Sequence, residues 1–280
     1  MREYAVEQII ESVAQACITA NCRLNPDVAD ALAEAEQSEI TETGRIVLAR
    51  LLENAAIARS EGMAICQDTG MAVVFVALGQ DARIVGGLLT DAIHEGVRRG
   101  YREGFLRKSV VASPIDRRNT GDNTPAVIHL SLEAGDGLRM DICPKGFGSE
   151  NMSALAMLKP SDGEPGVRQF VVDTVSRAGA NPCPPIVVGV GMGGTMEMAA
   201  LLAKRALIRP VGSRNDDPRL DDMEQALLRE INHLGIGPAG LGGRTTALAV
   251  HVLSYPTHIA GLPVAVNISC HVTRHVTVEL

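Results

Sequence analysis

The run Met71 to Leu78, MAVVFVAL, constrains the fold more than any other segment. It is apolar at every position, so a strand made from it needs cover on both faces, as strands inside layered α/β sheets have. Gly70 and Gly79 bound it, and its length suits a strand, far short of the ~20 residues that span a bilayer. Pro185 to Val190 reads as a second buried strand, Ala126 to Leu132 and Leu138 to Ile142 as strands of a hairpin or meander joined through Glu133–Gly137, and Thr246 to Ser254 and Val264 to Asn267 as the last strands.

Helical patterns surround these strands. Val6, Ile9, Ile10 and Val13 recur at helical spacing. Asn25-Pro26-Asp27 breaks that run and starts another over Asp27 to Glu39, and Ile46 to Ala58 carries a third apolar face up to Gly62. Further helices are expected over Leu88 to Arg102, Gly166 to Ala178, Thr195 to Leu207 and Asp221 to Asn232. The expected class is α/β in the mixed α+β sense: N-terminal helices, then mixed β-sheets covered by helices. No repeat or linker divides the 280 residues, so one domain over 1–280 is expected.

Composition narrows function. The net charge is −7, no basic run stands out, and aromatic residues are only 2% with no Trp, which argues against a nucleic-acid surface or base-stacking platform. The charged N-terminal stretch has no apolar signal core, so a cytoplasmic, non-membrane protein is expected. Glycine is 28 of 280 residues, and the excess gathers in a few loops where chemistry can sit.

Cys66-Gln67-Asp68-Thr69-Gly70 offers a thiol, an amide, a carboxylate and a hydroxyl in one loop, though Asp68 and Gly70 also suit a plain tight turn. Arg107 can clamp a carboxylate, or can simply end a helix in solvent. Asn119–Pro125 has turn chemistry, and Gly146 and Gly148 in Lys145–Asn151 would let backbone N–H groups approach an anion. Gly189, Gly191 and Gly194 match Gly-x-Gly-x-x-Gly between a strand and a helix, the rival dinucleotide reading, but Pro210 interrupts the next short strand over Leu207 to Val211. His258 follows Pro and Thr in a polar loop, and His271 and His275 read as parts of a terminal tail. Of six cysteines, Cys17 and Cys22 lie in a helical pattern, while Cys66, Cys183 and Cys270 sit in loops; no Cys-x-x-Cys pair occurs. The ordinary reading of any one of them is inert burial.

Taken together, Cys66–Gly70, Asn119–Pro125, Lys145–Asn151, Asn181-Pro-Cys-Pro-Pro185, Gly191–Gly194, Gly240–Gly243 with Thr245-Thr246, and Thr257–Ala260 through Cys270 resemble the class I fumarase and tartrate dehydratase family, in the α subunit of its two-subunit form. The resemblance implies a hydro-lyase acting on a small 2-hydroxy dicarboxylate, malate to fumarate first, with tartrate or mesaconate as alternatives. It implies a [4Fe–4S] cluster on Cys66, Cys183 and Cys270 with one open iron position, leaving Cys17, Cys22 and Cys143 structural. It further implies substrate contacts from Gln67, Arg107, Gly146 and Gly148, an acid or proton-relay role for Asp68, and a His258 that reaches a neighbouring copy's site. Arg244 stands where the family usually has Lys. The swivelling domain of one-chain members is absent, which implies a separate β subunit and an α2β2 assembly. A dinucleotide-dependent oxidoreductase and a non-catalytic iron–sulfur scaffold are the competing classes.

Overall fold

The computed structural model describes residues 2–280. In chain order the elements are β1 (Glu3–Ala5), α1 (Val6–Cys22), α2 (Pro26–Ser38), α3 (Glu42–Glu61), β2 (Met71–Gly79), β3 (Arg83–Val85), α4 (Leu89–Glu103), β4 (Val127–Glu133), β5 (Leu138–Lys145), α5 (Phe147–Glu150), β6 (Ala154–Leu158), α6 (Gly163–Ala178), β7 (Ile186–Gly193), α7 (Met196–Ala206), α8 (Pro218–His233), β8 (Ala247–Tyr255), β9 (Leu262–Ser269) and β10 (Val276–Glu279). The mixed α/β class expected from sequence is what forms. Among the described residues no helix is long and apolar enough to cross a membrane.

The chain makes two compact units. One runs to Asn25, takes in Ala55–Phe147 and closes with Arg274–Leu280; the other comprises Pro26–Asn54 and Gly148–Thr273. The chain passes between them repeatedly, so no linker marks a boundary in the sequence.

In the first unit the sheet order is β10-β5-β2-β4. The all-apolar β2 takes an inner position, antiparallel to β5 and parallel to β4. The expected hairpin between Ala126–Leu132 and Leu138–Ile142 is therefore wrong: β2 lies between those strands. Their connection wraps the end of β2, with Gly79 N–H donating to Gly137 O at 2.7 Å and Asp81 N–H to Gly135 O at 2.9 Å. A Cβ at Gly79 would lie 2.4 Å from Gly135 O, so only glycine allows that approach. Ile9 and Val13 of α1, Ile93, Val97 and Tyr101 of α4, and Val74, Val76, Met140 and Ile142 of the sheet share one core. Neither is the C-terminus a loose tail. Val276 pairs with Ile142, and Leu280 N–H donates to Leu138 O.

In the second unit the order is β6-β9-β7-β8, with β7 parallel to β8 and antiparallel to β9. Val188 and Val190 of β7 pack with Val171 of α6 and Leu227 and Ile231 of α8. The opposite face meets α7. There Gly189 and Gly191 are strand residues, and a Cβ at either would lie 2.1 Å from a carbonyl oxygen of α7, Ala203 or Ala199. These glycines serve close strand–helix packing rather than a pyrophosphate turn, and Leu207–Val211 forms no strand. The dinucleotide reading loses its support on both counts. α8 starts earlier than expected, because Asp217 accepts the Arg219 N–H as N-cap and Pro218 fills the first turn.

His251 of β8 is 1% exposed, and neither ring nitrogen has a hydrogen-bond partner. Burial, with a smaller effect from the Arg209 charge, lowers its pKa to about 4. The neutral ring is thus the folded form, so its contribution is complete above pH ~6.5 and is lost as pH falls toward 4. The shift corresponds to about 3 kcal/mol of acid destabilisation. His251→Met should flatten the urea-unfolding free energy between pH 6.5 and 4 relative to wild type; an unchanged slope would assign the acid lability elsewhere.

Candidate functional site

In the first unit the Cys66–Gly70 loop lies between α3 and β2 and is held from several sides. Asp68 Oδ1 accepts Gly70 N–H at 3.0 Å, and Oδ2 accepts Phe147 N–H at 2.8 Å. Gly70 has φ +72°, and a Cβ there would lie 2.6 Å from the Lys145 carbonyl carbon. Beneath the loop, buried Tyr101 donates its hydroxyl to Thr69 O at 2.7 Å and Gly70 O at 3.1 Å, and burial pushes its phenol pKa up. The turn chemistry of Asp68 and Gly70 is therefore present. What it presents outward is Cys66, half-buried, and Gln67, exposed, with the Cys66 thiol 3.6 Å from Gln67 Oε1.

Arg107 is tied to the same loop through its backbone: Thr69 Oγ1 donates to Arg107 O at 3.0 Å. Its side chain is exposed and makes no hydrogen bond or ion pair among the described residues. The segment is fixed by Asn123, which in the sequence is only one residue of a turn-like stretch. Asn123 is fully buried at φ +63°. Its Oδ1 accepts Ser109 N–H at 2.7 Å and Val110 N–H at 3.2 Å, and its Nδ2 donates to Gly70 O at 3.1 Å. Asn123→Ala strands these groups and puts Ala in the left-handed region, a cost of about 3 kcal/mol. Thermal or urea denaturation of that variant checks this, and a loss below ~1 kcal/mol would contradict it.

In the second unit the antiparallel register, Val187 opposite Ser269, brings the start of β7 beside the end of β9. That register puts Cys183 and Cys270 at one end of one sheet, and His271 Nδ1 lies 3.0 Å from Cys183 O. Cys183 is exposed at φ +56°, and Cys270 is half-buried. His258 sits on the exposed loop after β8, where its Nδ1 accepts the Ala260 N–H at 3.2 Å. Gly148 lies in α5, and a Cβ there would be 4.0 Å from Asn181 O; Gly146, in the first unit, faces Asp68, its Cβ position 3.2 Å from Oδ2.

Arg244 is exposed on a loop whose backbone is held by Glu39. The buried Glu39 carboxylate accepts Arg244 N–H at 2.9 Å, Thr245 N–H at 3.0 Å and Ile40 N–H at 2.8 Å. Those backbone donors bring its pKa down against burial. In the sequence Glu39 stands only at a helix end. A carboxylate at that end opposes the helix dipole, and that was the available sign of another task.

The cysteines divide cleanly by environment. Cys17 is buried and its pKa is pushed up to about 12, so it stays a thiol; Cys22 donates to Gly62 O and Cys143 to Asp141 O. Cys66, Cys183 and Cys270 are the loop cysteines, and none is in a disulfide. Asp68 N–H donates to the Cys66 sulfur at 3.4 Å. This donor set suits thiolate ligation of iron. Among the described residues, no three His, Cys, Asp or Glu side chains gather as a metal-holding group.

The model of the family described as fumarate hydratase (Fumerase) matches residues 10–279. The chain belongs to the class I fumarate hydratase family. Among its relatives is a Methanocaldococcus jannaschii protein provisionally named as L(+)-tartrate dehydratase subunit alpha, 43% identical over 90% of both chains. The L(+)-tartrate dehydratase subunit alpha of Escherichia coli strain K12 is 32% identical, over 99% of this chain and 92% of its own; that of strain UTI89 is also 32% identical, over 100% and 93%. As a fumarate hydratase family member the chain is a hydro-lyase, and the iron–sulfur dependence general to that family agrees with the three free cysteines in its loops.

Proposed function

We propose that this chain is the α subunit of an iron–sulfur L(+)-tartrate dehydratase, removing water from a 2,3-dihydroxy dicarboxylate. The observation that carries the reading is Arg107: an exposed guanidinium without a partner among the described residues, tied through Thr69 to the loop that presents Cys66, Gln67 and Asp68. The names of the full-length relatives favour tartrate. The malate–fumarate reading has only the family's description behind it.

Cys66, Cys183 and Cys270 would hold a [4Fe–4S] cluster. When bound with one iron position open, such a group supplies a Lewis acid for the departing hydroxyl. The chain's own residues do the rest. Arg107 pairs a substrate carboxylate, and Gln67 hydrogen-bonds the substrate beside it. Asp68 acts as acid or proton relay for the leaving oxygen, its carboxylate held in place by the Gly70 and Phe147 amides. The Gly146 and Gly148 backbone donates toward the second carboxylate. Loss of the hydroxyl from one carbon and a proton from its neighbour leaves an enol, which becomes the 2-oxo dicarboxylate.

A separate β subunit completes the site and supplies the proton-abstracting group. His258, on its exposed loop, enters the site of a second α chain in an α2β2 assembly, which works in the cytoplasm. The test is to co-express the chain with its β partner, reconstitute without oxygen, and assay L(+)-tartrate, malate, fumarate and mesaconate in parallel. The highest kcat/KM is expected for L(+)-tartrate. A site that hydrogen-bonds the second hydroxyl should disfavour malate by a factor on the order of 10⁴. Malate or fumarate turned over as well as tartrate would overturn the substrate assignment.

A further inference from the structure

Arg274 is 6% exposed, yet no carboxylate pairs with it among the described residues. Its guanidinium reaches two backbone carbonyls: Nη2 donates to Asp68 O at 2.5 Å and Nε to Pro144 O at 3.4 Å. Nη1 is buried and has no acceptor among the described residues. A buried cation normally costs several kcal/mol unless paired, so an arrangement that spends its donors on two loop carbonyls needs a reason.

The two carbonyls belong to the two segments that carry the proposed chemistry, the Cys66–Gly70 loop and the end of β5. Asp68 is in the loop of Cys66 and Gln67, and Pro144 precedes Lys145-Gly146. The same segments meet again through Asp68 Oδ2 and the Phe147 amide, and through the close seat of Gly70 on the Lys145 backbone. Arg274 itself is placed by strand pairing: two residues on, Val276 begins β10 opposite Ile142 of β5, and Asn25 Nδ2 holds His275 O at 3.3 Å. Its polar atoms are closed to solvent at Nη1, so it does not touch a dissolved substrate.

We propose that Arg274 is a positioning residue: its planar fork clamps the Cys66–Gly70 loop to the end of β5 at Pro144 and so aims Cys66 and the Asp68 carboxylate. Two acceptors on separate segments call for a rigid, forked donor, and one ammonium does not reproduce it. The functional half of this inference rests on the reading of those segments as the dehydratase site; the clamp itself does not.

The experiment compares wild type, R274K and R274M in the reconstituted complex with the β subunit. Amide hydrogen exchange is followed alongside steady-state kinetics normalised to bound iron. Exchange at the Gly70 and Phe147 amides, the donors to Asp68, should accelerate at least about tenfold in R274K, with α1, α4 and β2 protected as before. The kcat per iron should fall at least about tenfold with KM within about threefold. R274K keeps the buried charge, so it decides the matter if R274M does not fold. Exchange at both amides and kcat within about twofold of wild type would overturn the clamp. So would uniform acceleration across the unit, which is the mark of a general structural role. Should wild type turn over none of the dicarboxylates while the two amides still respond in R274K, the proposed function fails and the clamp stands.

Discussion

Serine at Cys66, Cys183 or Cys270 should remove the visible absorption, most of the bound iron and all measurable dehydratase activity of the anaerobically reconstituted complex. A serine hydroxyl is a far weaker acid and a harder donor than a thiol, so it is a poor ligand for iron, and with three protein ligands no spare cysteine takes over. Cys17→Ala and Cys143→Ala should retain the absorption. Cys17 is locked as a buried thiol, and Cys143 donates to a strand carbonyl. Far-UV circular dichroism separates cluster loss from unfolding. Normal iron content in Cys183→Ser would sink the ligand assignment, because Cys183 is the exposed member of the set and its loss costs the core nothing.

Arg107→Met should lower kcat/KM for the dicarboxylate by a factor on the order of 10², about 3 kcal/mol of lost charge-assisted contact. Arg107→Lys should keep the charge, lose the bidentate geometry, and fall between. Neither variant should change the unfolding midpoint, because the Arg107 side chain is exposed and bonds to none of the described residues. The contrast with Asn123→Ala is the useful one. Asn123 holds the Arg107 segment from beneath and should act on stability, whereas Arg107 should act on substrate alone. An Arg107→Met enzyme with kcat/KM within about threefold of wild type would move carboxylate binding to other residues.

The periodic signals in the sequence were dependable where one element decides its own pattern. The all-apolar run over Met71–Leu78 is the inner strand β2, and the Val6–Val13 periodicity lies within α1. Signals that depend on a partner misled. Ala126–Leu132 and Leu138–Ile142 look like a hairpin because their connection is short and glycine-rich, yet β2 separates them. Gly189 and Gly191 look like a nucleotide turn because glycine also marks close packing, and α7 provides that packing.

The chain's own residues determine its family, its helices and most of its strands. They also determine the chemical kind of its loops, since thiols, glycines and carboxylates carry their chemistry wherever they stand. What the tertiary structure alone decided is which groups are free and which are occupied. Asp68 turned out to accept two amides, Glu39 to hold the Arg244 loop, and Asn123 and Arg274 to brace loops far from them in sequence. The physical reason is that a buried polar group must find its partner wherever the fold brings one near. The separation between Arg274 and Asp68 along the chain leaves no local pattern from which that partner can be read.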